Sequence, residues 1–287
     1  MSYRRIILLT TLAMLAFAGN SLLCRAALQH TPIDAASFTL IRLMAGAIML
    51  WLVVRCKRST ATGDGNWLSA LALFAYAAGF SFAYLSLTAA TGALLLFGSV
   101  QVTMIGYGLW KGERLFGWQW LGLGLAFAGL IGLLLPGLSA PPLTGAALMI
   151  AAGMAWGVYS LRGRGAGDPT QVTAGNFLRA VPIATLLSLS MLQSQRLDLA
   201  GVGYAIASGA LASGIGYAIW YTALPGLKAA QAASVQLSVP MLASIGGVVL
   251  LGEALNTRLL LASLAILGGI GLVIFEKQHA KRPLPNR

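Results

Sequence analysis

Two short stretches, "LWKGERLF" (Leu109–Phe116) and "VLLGEALN" (Val249–Asn256), each set a glutamate between apolar runs in a chain with only seven acids in 287 residues. A shift of 140 positions lays Glu113 on Glu253, each preceded by glycine (Gly112, Gly252) and followed two places later by leucine (Leu115, Leu255). Working outward, "AGLIGLLL" from Ala128 matches "LGGIGLVI" from Leu267 after a slip of one residue. "AFAGNSLLCR" from Ala16 matches "AWGVYSLRGR" from Ala155, and Asp34 with Arg42 has a looser counterpart in Asp168 with Arg179. Correspondences that keep one order along the chain mark an internal repeat, and a repeat constrains the fold as a whole.

The repeated unit is built for lipid. Hydrophobic residues make up 58% of the chain and charged residues 9%, against roughly 25% charged in soluble domains. Apolar runs of about 20 residues, enough to cross a hydrocarbon core of roughly 30 Å, recur from end to end. With Gly, Pro and charge as punctuation, ten spans are expected: 6–24, 35–54, 67–87, 91–110, 117–135, 143–161, 171–192, 199–222, 229–250 and 259–275. The basic, apolar and Ala-x-Ala order of the first also fits a cleaved signal peptide, but the repeat needs that segment as an ordinary member. The expectation is an all-α polytopic membrane protein.

The net charge of +12 would suggest nucleic acid in a soluble protein. Distribution decides otherwise. With both termini placed in the cytoplasm, only Arg25, Arg196 and Arg258 of the 19 basic residues fall outside, and Arg42 and Arg179 fall within spans. The rest lie inside, so the basic excess is an orientation signal and no nucleic-acid partner is implied. Cys24 and Cys56 are the only cysteines and belong at opposite ends of helices, so no disulfide is expected.

Five spans per repeat is an odd number, so the second copy enters the membrane from the side opposite to the first. The expected units are 1–137, an inverted copy at 138–276, and a basic cytoplasmic tail at 277–287. Inverted repeats of this kind characterise secondary transporters, whose halves can exchange conformations around a central site. Glu113 and Glu253 then sit in the turns before spans five and ten. There each acid is hydrated, supports the positive end of the following helix, or serves as a gate.

Two halves of five spans, the motifs "AFAGNS" and "AWGVYS", and Gly-Glu before the last span of each half resemble the drug/metabolite transporter superfamily of the EamA type. Within it, the chain most resembles the bacterial exporters of aromatic amino acids (YddG-type). The resemblance implies the ten-helix inverted-repeat fold, a bacterial inner-membrane location, a small-molecule substrate and no cofactor. It also implies a cavity among spans one, three, four, six, eight and nine. The residues point the same way, because Asn and Gln are costly in lipid unless hydrogen-bonded or facing a wet cavity.

Polar and aromatic side chains concentrate in those spans. Candidate binding residues are Asn20 in the first span, Phe80 and Tyr84 in the third, and Gln101 and Thr103 in the fourth. Trp156 and Tyr159 follow in the sixth, Tyr217, Trp220 and Tyr221 in the eighth, and Gln236 in the ninth. Phe17, Ser21, Tyr76 and Ser160 belong to the same concentration. Such a lining suits an amphiphilic solute. Rings stack for about 0.5–1.5 kcal/mol beyond area burial, and hydroxyls and amides can satisfy the two charges of an amino acid.

Arg42 and Arg179 either bond to neighbouring backbone carbonyls or meet a substrate carboxylate. Pro182 and Pro240 are candidates for a hinge or a static kink. The seven acids and both histidines fall in loops or at span ends, which offers no proton carrier in mid-membrane. Transport down the solute gradient is therefore expected, with a proton-coupled exporter of other specificity as the alternative. No His, Cys, Asp and Glu constellation suggests an enzyme or a metal site. The glycine-rich last span is compatible with a homodimer and equally with internal packing.

Overall fold

The computed structural model describes residues 2–57, 64–112, 114–115, 117–137, 140–163, 167–227, 232 and 235–279. Glu113, Arg164, Lys228 and the tail from 280 onward lie outside the described residues. Within them the chain is helical: α1 (Tyr3–His30), α2 (Ala35–Lys57), α3 (Trp67–Tyr84), α4 (Ala89–Trp110), α5 (Trp118–Leu134), α6 (Leu143–Arg162), α7 (Pro169–Ser190), α8 (Leu199–Gly226), α9 (Ser238–Leu251) and α10 (Thr257–His279). Eight are long and apolar enough to cross a membrane, while α5 and α9 are shorter.

The few polar residues between the runs fix where the helices begin. Asp34 accepts the Ser37 N–H at 2.9 Å, Asp168 that of Gln171 at 2.9 Å, and Asp198 that of Gly201 at 3.0 Å. Asn66, Thr88 and Asn256 cap α3, α4 and α10 in the same way. Each cap supplies an acceptor to a donor that the helix leaves unpaired. Asp34 also accepts the Arg196 N–H at 2.9 Å, tying the α1–α2 turn to the α7–α8 turn. Partial burial opposes its ionisation, and the N–H donors of Ser37 and Arg196 outweigh that, holding the carboxyl below the usual aspartate range.

The ninth span was expected as one run over 229–250. Ala232, Val235 and Gln236 are helical, a turn falls at Leu237, and α9 runs on from Ser238. Pro240 therefore sits in its first turn, where a missing N–H costs no helical bond. Pro182 does lie inside α7.

Helix α1 packs on α8 and α9, α2 on α7 and α8, α3 on α6 and α7, and α4 on α6 and α9. The α5–α10 pair stands together, with Gly122 and Gly269 facing each other. A Cβ on either would collide with the carbonyl of the other, so the close crossing requires both glycines. Large apolar side chains turn outward: Val249, Leu250 and Leu264 are 73%, 70% and 72% exposed. A surface of that kind is suited to lipid.

Candidate substrate cavity

A cavity of about 620 Å³ lies between α1, α3, α4, α6, α8 and the segment leading into α9. Helix α1 contributes Phe17, Asn20 and Ser21, and α3 contributes Tyr76 and Phe80. Phe97 and Gln101 come from α4, Trp156 and Ser160 from α6, and Ser213, Tyr217, Trp220 and Tyr221 from α8. Gln236 faces it from the helical residues before the turn at Leu237. Among the described residues neither α5 nor α10 contributes to the lining.

One wall is a chain of rings. Trp156 stacks on Tyr217 with centroids 5.2 Å apart, and Tyr76 lies 4.8 Å from Trp156. Phe17 continues the series to Tyr217 at 5.6 Å and to Trp220 at 6.1 Å. Asn20 fixes the polar corner. Its Nδ2 donates to the Tyr76 hydroxyl at 3.2 Å, and its Oδ1 accepts from Ser208 at 2.6 Å. Ser208 sits in a stretch of α8, Ala207–Ile215, wound as a π-helix. This wider winding is rare and is frequently found at functional sites. It precedes Tyr217 and Tyr221 and sets the face on which they emerge.

Eight of the eleven candidate binding residues line this cavity: Asn20, Phe80, Gln101, Trp156, Tyr217, Trp220, Tyr221 and Gln236. Three do not. Tyr84 is fully buried beyond Phe80, its hydroxyl directed to the Ala89 carbonyl. Thr103 donates to the Ser99 carbonyl at 2.8 Å and packs against Gly157 of α6. Tyr159 turns toward α7, where its hydroxyl meets Thr173 and Asn176. Met104, Val100 and Ser213 do line the cavity, and nothing distinguishes their residue types in an apolar sequence. Arg179 bonds to the carbonyls of Asp64 and Gly175, away from the cavity.

Among the described residues the cavity reaches one face of the bundle. Gly163 after α6, Pro169 at the start of α7, and Leu227 and Ala232 between α8 and α9 form part of its lining, whereas the α1–α2, α3–α4 and α9–α10 connections contribute none. At the closed end stands an ion pair. Arg25 Nε donates to Glu253 Oε1 at 3.0 Å, and Arg25 Nη1 to the Tyr84 carbonyl at 2.9 Å. Glu253 Oε2 accepts the Ala89 N–H at 2.8 Å, at the start of α4. The expectation of a hydrated acid serving the following helix is thus corrected. Glu253 is 8% exposed and serves α4 rather than α10. Glu113 lies outside the described residues.

The sequence matches the EamA-like transporter family twice, over residues 4–135 and again over 143–275. The chain belongs to that family. It is therefore a multi-pass membrane transporter. An uncharacterized protein of Pseudomonas aeruginosa is 62% identical over 272 residues, covering 94% of this chain and 95% of that one. The threonine/homoserine exporter RhtA of Escherichia coli K12 is 32% identical over 146 residues, 48% of each chain. An uncharacterized transporter of Archaeoglobus fulgidus is 27% identical across 95% of this chain and 98% of its own. A solved crystal structure aligns with a TM-score of 0.69 at 18% identity, over 98% of this chain and all of that one. It has the same fold.

Proposed function

We propose that this transporter exports amino acids from the bacterial cytoplasm across the inner membrane, aromatic amino acids foremost, by alternating access through the central cavity. The observation that carries this reading is the cavity itself: walled by stacked rings, supplied with amides and hydroxyls, and reaching a single face. Its volume of about 620 Å³ lies within the range usual for small-molecule sites, about 300–1,000 Å³. The half-length similarity to threonine/homoserine exporters supports amino acids as a class. The aromatic preference rests on the lining alone.

The architecture proposed with it has both termini in the cytoplasm and two inverted halves, 1–137 and 138–276. Two successive matches to one family support the halves. So does the packing: exchanging the halves turns α4 on α6 into α9 on α1, α3 on α6 into α8 on α1, and α2 on α8 into α7 on α3. All of these contacts occur. In this orientation the cavity opens to the cytoplasm.

One observation favours a second reading. Glu253 is a buried carboxylate held by Arg25, and an ionisable pair at the closed end suits a proton-coupled exporter of other specificity. Counterflow in proteoliposomes decides. Labelled Phe, Trp, Thr, Met and a cationic drug are compared, with and without a pH gradient. The proposal expects Phe and Trp to exchange fastest with no gradient required. Preference for the drug, or a strict need for the gradient, would establish the second reading.

A further inference from the structure

Helix α2 carries one arginine in its interior. Arg42 lies seven residues from the start of α2, about 10 Å along the axis, and is only 2% exposed. Its Cζ stands 4.9 Å from the Phe80 ring centroid and 5.5 Å from that of Tyr76. Its Nη1 is buried without a hydrogen-bond partner. The one ion pair among the described residues is Arg25–Glu253, so no described carboxylate neutralises Arg42. Stacking on two neutral rings compensates a buried cation only in part.

The position of Arg42 suggests what completes the compensation. Tyr76 and Phe80, whose faces the guanidinium covers, are themselves cavity-lining residues next to Asn20 and Ser21. The cation is thus one ring's width from the space that the solute enters, at its closed end. Among the described residues no Lys or Arg lines the cavity. A single guanidinium balances a single negative charge, and its planar fork matches a carboxylate. A phosphate dianion would need a second cation.

We propose that Arg42 binds the carboxylate of the transported solute. As the carboxylate arrives beside Asn20, the rings of Tyr76 and Phe80 shift and Nη1 donates to it. The assignment rests on the amino-acid reading for the identity of the solute, but the chemistry requires only a monoanion.

Competition against a labelled amino acid, and direct calorimetric titration, test it on purified protein with four probes: phenylalanine, phenylalanine amide, 3-phenylpropionate and phenethylamine. Wild type is expected to bind the two carboxylates about tenfold to a hundredfold more tightly than the two probes lacking one, the weight of a charge-assisted hydrogen bond. Arg42→Gln removes that preference while retaining ring recognition. If this variant does not fold, Arg42→Lys keeps the charge without the fork and shows a reduced preference. An unchanged carboxylate preference in a folded variant overturns the assignment. Binding of 3-phenylpropionate that depends on Arg42, without binding of phenylalanine, would reject the amino-acid reading and leave Arg42 as an anion site.

Discussion

Glu253 uses both oxygens of its carboxylate, one on Arg25 and one on the N–H that opens α4. Its place in a turn is legible in the sequence. Its partner is not, because Arg25 is 228 residues away and nothing in either segment points to the other. What turns the side chain inward is backbone geometry. Gly252 takes a left-handed conformation at φ 64°, the Glu253 N–H returns to the Gly247 carbonyl at 3.0 Å, and α9 ends there. The pair is buried, so removing one partner strands the other charge. Glu253→Ala is expected to destabilise the protein by about 3–5 kcal/mol, and Arg25→Met similarly. Replacing both, as Arg25→Met with Glu253→Leu, should recover most of that loss, because no charge is then left unpaired. Thermal unfolding of the three variants in detergent measures it. A double variant no more stable than either single one would mean that the pair is not the source of the stability.

Helix periodicity explains which candidate residues reach the cavity. Gln101 and Thr103 are two positions apart, about 200° around a helix, so when Gln101 faces the cavity Thr103 must face α6. Tyr159 is about 60° away from the direction of Trp156 and turns to α7. Tyr84 has drifted about 80° from Tyr76 and lies against Gly92 at the end of α3. The aromatic and amide concentration in the right helices was visible from residue types; the side each residue faces depends on neighbours that only the packed bundle supplies. The π-wound part of α8 was not visible at all, since "ASGALASGI" reads as ordinary small-residue packing. That stretch presses on α2: a Cβ on Gly209 would collide with the Arg42 carbonyl. Gly209→Val should therefore push α8 from α2, at a cost of about 1–3 kcal/mol or more, and disturb both Arg42 and the Tyr217 face. Gly203→Ala, on the same helix with open space around it, should leave unfolding temperature and transport unchanged. Equal behaviour of the two variants would show that the α2–α8 approach does not constrain the bundle.

For the whole molecule, the closed face is held by contacts that join the first half to the second: Arg25 with Glu253, and Asp34 with the Arg196 backbone. Under the inverted-repeat proposal this arrangement has a counterpart. Aligning "AFAGNSLLCR" with "AWGVYSLRGR" carries Arg25 onto Arg164, and the Gly-Glu alignment carries Glu253 onto Glu113. The two residues that the repeat makes equivalent to the ion pair would lie on the opposite face. Exchange of conformations between the halves then has a definite consequence: when Arg25 and Glu253 separate, Arg164 and Glu113 should approach. Paired cysteines in a background lacking Cys24 and Cys56 test this, one variant carrying them at 25 and 253, the other at 113 and 164, each probed with a short bifunctional thiol reagent. Conditions that lower cross-linking of the first pair, such as saturating solute, should raise it in the second. If both pairs cross-link together, or the second never does under any load of solute, the two halves do not exchange roles, and the cavity must release its solute by another route.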